Sequence, residues 1–198
     1  MQVREFEDEG IVLAAVNLPP ALVARALPFD GEQLAMVMAG YNSMVTAGTL
    51  VEDTSTGRVR AVGTSTVVPT YQLNAADADR VVRSILLVSE ALLAAGAHTI
   101  FLPFGGRGPV HSGDDLRRAG AMLVSARDMT LVTVHLMGTA RIGTDPLGAV
   151  CDPFGSVFDT VGLTVADASL FPAPVGVNPM LTIMALSTRA AGRLLDSW

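Results

Sequence analysis

The sequence contains no lysine; all 13 basic side chains are arginine. A phosphate loop ending in Gly-Lys-Ser/Thr therefore cannot be built from it. Cys151 is the only cysteine, which excludes a disulfide scaffold. The three histidines, His98, His111 and His135, share no H-x-x-x-H spacing, and there is no C-x-x-C pair, so no metal site is expected. Charged residues are sparse, at 16%, and acidic on balance: 19 Asp and Glu against 13 Arg, for a net charge of −6. With no basic run, nucleic-acid binding is disfavoured. No G-x-S-x-G anchors serine-hydrolase chemistry, and no G-x-G-x-x-G opens a helix as a dinucleotide loop would. There is no internal repeat or low-complexity tract.

What the sequence does have is apolar surface. Of 198 residues 50% are hydrophobic, and the mean hydropathy is +0.46. That excludes disorder and fits one domain of ordinary size or a piece of a larger protein. A chain of this length buries roughly 70% of its unfolded surface. Two long uncharged windows occur, Gln33 to Val51 and Ala168 to Thr188. The first is broken by Gly40, Asn42 and Gly48, and the second by Pro172, Pro174 and Pro179. Neither is expected to span a membrane as a continuous helix. The first ten residues hold four acids and no apolar run, so no signal peptide is expected, and the expected location is cytoplasmic. The surplus hydrophobicity is best explained as surface meant to pack against other protein.

The pattern is α+β, not the regular alternation of a parallel sheet. Residues 3–17 read as one or two strands, ended by Pro19-Pro20. Ala21 to Leu27 is ambiguous. From Ser43 to Tyr71 β-branched residues alternate, and Asp53-Thr-Ser-Thr-Gly57 is expected to be a hairpin turn. Asn74 caps a helix over Ala75 to Ala95 with Ala78, Val81, Val82, Ile85, Leu86, Ser89, Leu92 and Leu93 on one stripe, and Gly96 stops it. His98 to Leu102 reads as a short strand, and Phe104 to Gly113 as a surface loop. Asp114 and Asp115 favour the start of a helix. Thr130 to Val134 reads as a strand leading into His135. Pro179 opens a terminal helix to Leu195.

Three stretches could carry chemistry. His135-Leu-Met-Gly138-Thr139 follows the expected strand, so its ring can be presented into a cavity. Gly162-Leu-Thr-Val-Ala-Asp167-Ala168-Ser169 ends a β-type run. Val177-Asn178-Pro179-Met180 leads into the last helix, whose N-terminus offers unpaired N–H groups and the positive end of the dipole. Taken by itself Asn178 reads as a helix cap, and His98, His111 and Cys151 read as structural residues.

In that order, H-x-M-G-T, G-L-x-V-A-D-A-S and V-N-P-x-x-T resemble the C-terminal end of the glucose–methanol–choline (GMC) oxidoreductases, FAD-dependent enzymes that oxidise alcohols. Upstream, Gly57-Arg-Val-Arg60 and Tyr71-Gln-Leu-Asn-Ala-Ala-Asp77 are similar to the substrate domain of the long-chain alcohol oxidase branch. The resemblance implies an antiparallel-sheet substrate domain with packed helices, plus a C-terminal segment and helix that complete an FAD-binding domain. It implies that His135 accepts the alcohol proton while hydride passes to the flavin N5. Histidine suits that task because the residue type titrates near neutrality. Asn178 fills the second catalytic position, where an amide can orient the substrate oxygen but cannot act as a base. Asp167 and Ala168 match the segment near the FAD pyrophosphate and ribityl chain. Asn178, Pro179 and Met180 match the helix start near the flavin ring, where the dipole favours negative charge at N1 and the C2 carbonyl.

Two departures from the family pattern matter. The family's dinucleotide fingerprint is missing, so the chain looks like a C-terminal portion: residues 1–134 as part of the substrate-binding domain, and 135–198 as the catalytic and flavin-contacting segment. Its implied partners are a small alcohol, hydrophobic in character, and an N-terminal FAD-binding portion or chain. Ala140 also stands where the family often has Cys. Two other readings stay open: a non-catalytic fragment or binding subunit of the same fold, and an unrelated α+β binding module.

Overall fold

The computed structural model describes residues 2–105, 108–122 and 125–196. The chain forms two compact units. One comprises Met1–Ser55 and Gln72–Val132; the other comprises Thr56–Tyr71 and Thr133–Trp198. Helices and antiparallel strands are mixed, as the α+β pattern implies.

The first unit is built on a three-stranded antiparallel sheet in the order β1 (Gln2–Val3), β2 (Ile11–Val16), β3 (Thr46–Val51). Ile11, Val12 and Leu13 are buried in succession, so β2 is covered on both faces along its first half. Pro19 and Pro20 end the strand, because neither can donate to a ladder. Pro20 then opens α1 (Pro20–Ala26), where its missing N–H costs nothing. The uncharged window after it holds α2 (Gly31–Ala39) and β3 (Thr46–Val51), two short elements in place of one long one.

The register corrects the expected hairpin. β3 pairs with β2, Ile11 opposite Val51 and Val16 opposite Thr46. The strand after it, β4 (Gly57–Val62), pairs with β5 (Thr66–Tyr71), and the turn falls at Gly63–Ser65 instead of Asp53–Gly57. The cause is Asp77, which is fully buried and draws Thr54 and Ser55 out of any ladder. The Asp77 carboxylate accepts from the Thr54 amide at 2.9 Å, Ser55 Oγ at 2.5 Å, Asn74 Nδ2 at 2.9 Å and Arg80 Nη1 at 2.9 Å. Burial by itself pushes this carboxyl up, but the bonds from Ser55 and Thr54 outweigh it and hold the group below the usual carboxylate range.

Asn74 caps α3 (Ala75–Ala94) as expected, its side chain accepting from the Asp77 amide at 2.8 Å. The helix packs on β2 and β3, and Ser84 Oγ meets Thr49 Oγ1 at 2.9 Å. Ala78, Val81, Ile85 and Ser89 of the expected stripe are buried. Val81 and Ile85 join Ile100, Leu102, Phe104, Val110, Leu116 and Ala119 in one core. Those last residues come from the His98–Gly113 stretch and from α4 (Gly113–Ala121), which Ser112 caps. The expected strand at His98–Leu102 is reduced to a single bridge between Ile100 and Val110. The loop that follows is not simply a surface loop, since Phe104 and Val110 anchor it in the core; its Gly106 and Arg107 lie outside the described residues.

Thr130 to Val134 forms no strand, and Leu131, Val132 and Val134 are exposed. The division between the two units falls here. In the second unit, residues 133–179 are irregular chain tied by isolated bridges, and α5 (Met180–Leu195) closes it. Among the described residues no helix is long and apolar enough to cross a membrane.

Candidate active site

The second unit organises itself around Cys151, which is buried and bridges both Ile142 and Val157. Burial, and after it the charge of Asp152, raises the thiol pKa, so the sulfur stays protonated and inert. Ser156 bridges Thr164, and the Val165 amide donates to the Gly155 carbonyl at 2.8 Å. Gly155 is required there: its φ is +87°, and a Cβ would lie 2.4 Å from the Val165 carbonyl oxygen. The β-type run expected at residues 162–167 is thus a single bridge, not a strand.

This ladder delivers the Asp167 segment to the His135 segment. The Gly138 amide donates to the Ala168 carbonyl at 3.2 Å, Ala140 to Ser169 at 2.9 Å, and Ile142 to Leu170 at 3.0 Å. Gly138 takes φ +81°, and a Cβ at that position would crowd the Phe171 carbonyl oxygen at 3.3 Å. The third stretch is tied in by α5, whose Ser187 Oγ donates to the Ala166 carbonyl at 2.5 Å. Arg189 and Arg193 also stack over the Phe154 ring, at 4.5 and 5.6 Å from its centroid. Ala190, Leu170 and Phe171 of this unit are buried. The three motifs therefore occupy one compact unit.

His135 is half-buried between exposed Val134 and Leu136. Its amide donates to Thr133 Oγ1 at 3.1 Å. Its ring has no hydrogen-bond partner among the described residues. Asp167 is exposed and caps the 3-10 turn Ala168–Leu170. Its Oδ1 accepts from the Ser169 amide at 2.8 Å and from Ser169 Oγ. Ser169 thereby holds the Asp167 carboxyl below its ordinary value. Ala168 spends its carbonyl on Gly138 and leaves only a methyl group as side chain, so its backbone is open to close approach. Asn178 is exposed, and it is Pro179, not Asn178, that occupies the N-cap of α5. Pro179 is buried, brings no side-chain acceptor to the first helical turn, and accepts from the Ile183 amide at 2.9 Å. Met180 is exposed on that first turn.

Sequence reasoning missed Ser169, Ser187 and Gly155. Asp-x-Ser is a signal for a side-chain-closed turn, and a serine inside the apolar stripe of α5 signals a hydrogen-bond acceptor on the chain packed against it. Nothing in the sequence marks the close approach at Gly155. Of the other histidines, His111 is exposed and its Nδ1 lies 3.1 Å from the His98 carbonyl oxygen, which is a loop contact. No cluster of His, Cys, Asp or Glu able to hold a metal occurs among the described residues.

Comparison with known proteins gives the class of molecule first. Residues 53–187 match the GMC oxidoreductase family. An uncharacterized GMC-type oxidoreductase of Mycobacterium tuberculosis is 31% identical over 194 residues, covering 96% of this chain and 30% of its own length. A long-chain-alcohol oxidase of Arabidopsis thaliana is 29% identical over 94% of this chain and 27% of its own length. Paromamine 6'-oxidase of Streptomyces fradiae is 38% identical over 38% of this chain and 14% of its own length. The chain belongs to the GMC oxidoreductase family. It spans about 30% of the length of the curated relatives it matches along nearly all of its own length.

Proposed function

We propose that this chain is the catalytic C-terminal portion of an FAD-dependent oxidoreductase acting on the CH–OH group of hydrophobic alcohols. The observation that carries the proposal is the backbone pairing of Gly138, Ala140 and Ile142 with Ala168, Ser169 and Leu170. It gathers into one unit the half-buried ring of His135, the Asp167 turn and, through Ser187, the helix that follows Asn178. The donor set suits a flat, electron-accepting group: the first turn of α5 has no side-chain cap from Pro179, and the His135 ring has no protein partner among the described residues. Asp167, Ala168, Asn178, Pro179 and Met180 would hold FAD. FAD, when bound there, would supply the two-electron acceptor for the hydride of the carbinol carbon.

His135 takes the hydroxyl proton as the carbon–hydrogen bond breaks, leaving a carbonyl product. The Asn178 side-chain amide donates to the substrate oxygen and fixes its orientation. The N-terminal end of α5 favours negative charge on the group it faces, worth about 0.3–1 kcal/mol at an exposed helix end and up to about 2 kcal/mol where partly buried. Residues 1–134 serve as part of the substrate-binding domain and 135–198 as the catalytic segment. Long-chain-alcohol oxidases among the relatives support a hydrophobic substrate. The length ratio supports a partner portion that supplies the rest of the cofactor site. The same ratio favours one second reading, a non-catalytic portion of the same fold.

Flavin reduction distinguishes the two. In the enzyme reconstituted with the portion its relatives carry beyond the match, a long-chain primary alcohol should bleach the flavin. His135→Ala should slow that bleaching by roughly 10²–10⁴-fold with flavin content unchanged. A loss under about tenfold would reject the acid/base role.

A further inference from the structure

The hairpin β4–β5 is exposed along both strands. Its register sorts its residues onto two unlike faces. Val59, Ala61, Val67, Pro69 and Tyr71 stand on one face, since Val59 opposes Pro69, Ala61 opposes Val67, and Tyr71 opposes Gly57. Arg58, Arg60, Thr66 and Thr70 stand on the other, together with Val62 and Val68. The first face carries no charged side chain, and on it Val59 is 50% and Val67 64% exposed.

A two-stranded hairpin is marginal by itself in water and needs a further layer on its apolar face. We infer that this face docks the remainder of the GMC protein, the portion that relatives carry beyond the matched third of their length. The length outside supports that occupant: the chain accounts for 30% of the Mycobacterium relative, so more than twice its own length is available to cover it. The ends of the hairpin are also set. Thr54 and Ser55, just before β4, are held by buried Asp77, and Asn74, just after β5, bonds to both. The strands are thus an ordered surface, not a fraying loop. This inference rests on the reading that the chain works with a partner portion.

Hydrogen exchange of the 57–71 segment tests it, with the Mycobacterium relative lacking its matched third as the probe. In the chain alone the segment should exchange fast at every concentration. With the probe bound it should slow by at least about tenfold, while α3 is unchanged. Val67→Asp should weaken co-elution with the probe by at least about tenfold, and Thr66→Asp, on the opposite face, should not. Co-elution with the segment still unprotected would overturn the docking face and leave the partner reading standing. Protection that grows with the concentration of the chain alone would assign the face to a second copy. No co-elution would overturn both this inference and the partner reading.

Discussion

The residues of the candidate site differ in how far the protein already commits them. The Asp167 carboxylate is engaged with Ser169 and held in its charged form, so its first task is to close the turn that presents Ala168. The His135 ring has no such commitment among the described residues. Asn178→Ala should lower turnover of the reconstituted enzyme with flavin retained. Loss of the flavin instead would make Asn178 a cofactor support, and flavin absorbance together with a rate assay separates the two outcomes. Gly155→Ala should cost more than about 2 kcal/mol, because it combines a positive φ with a backbone collision; a thermal melt of the chain checks it. The sequence marked His135, Asp167 and Asn178 through motif order alone. It gave Asn178 the cap that belongs to Pro179, because Asn is the better side-chain cap in general, whereas here the helix starts one residue later.

At the scale of elements, the long helices were legible and the short strands were not. α3 and α5 carry an apolar period with recognisable starts and stops, so α3 ends within a residue of the expected position. The runs at His98–Leu102, Thr130–Val134 and Gly162–Asp167 have strand composition but pair through one bridge or none. Strand formation needs a partner edge, and composition cannot supply one. The misplaced hairpin turn has a sharper cause in the bonds from Thr54 and Ser55 to Asp77. An Asp in the first turn of a helix reads as a dipole partner, and here it is also a buried anchor. Asp77→Asn should cost about 2–4 kcal/mol, since it breaks a buried ion pair with Arg80 and the acceptor set around it. The sign of the pH dependence follows from the lowered pKa. The stabilisation is full above the unfolded-state value of about 3.9 and is lost as pH falls through the lower folded-state value. Denaturant melts between pH 7 and pH 3 should therefore show the wild type losing stability on the acid side and Asp77→Asn losing less. Equal slopes would remove Asp77 from that role.

At the scale of the molecule, the apolar surplus noticed in the composition has found specific places. α5 buries Ala190 on one side and exposes Met180, Leu181, Met184 and Leu195 along another. A helix apolar on opposing sides belongs inside a larger protein, and the hairpin likewise leaves apolar side chains exposed, on one of its two faces. Under the proposed function both surfaces have a common explanation, a cofactor site completed by a partner portion, and the family match and the length ratio are what support that reading. Affinity for a dinucleotide in such folds comes largely from a Gly-rich turn and helix N-terminus around the pyrophosphate, and this sequence has no such fingerprint. The most direct measurement is the visible absorbance of FAD titrated with the chain alone, and then with the chain and the remainder of its Mycobacterium relative together. The account predicts a free-flavin spectrum in the first titration and a shifted, protein-bound spectrum in the second. A shifted spectrum with the chain alone, or none with the pair, would contradict it.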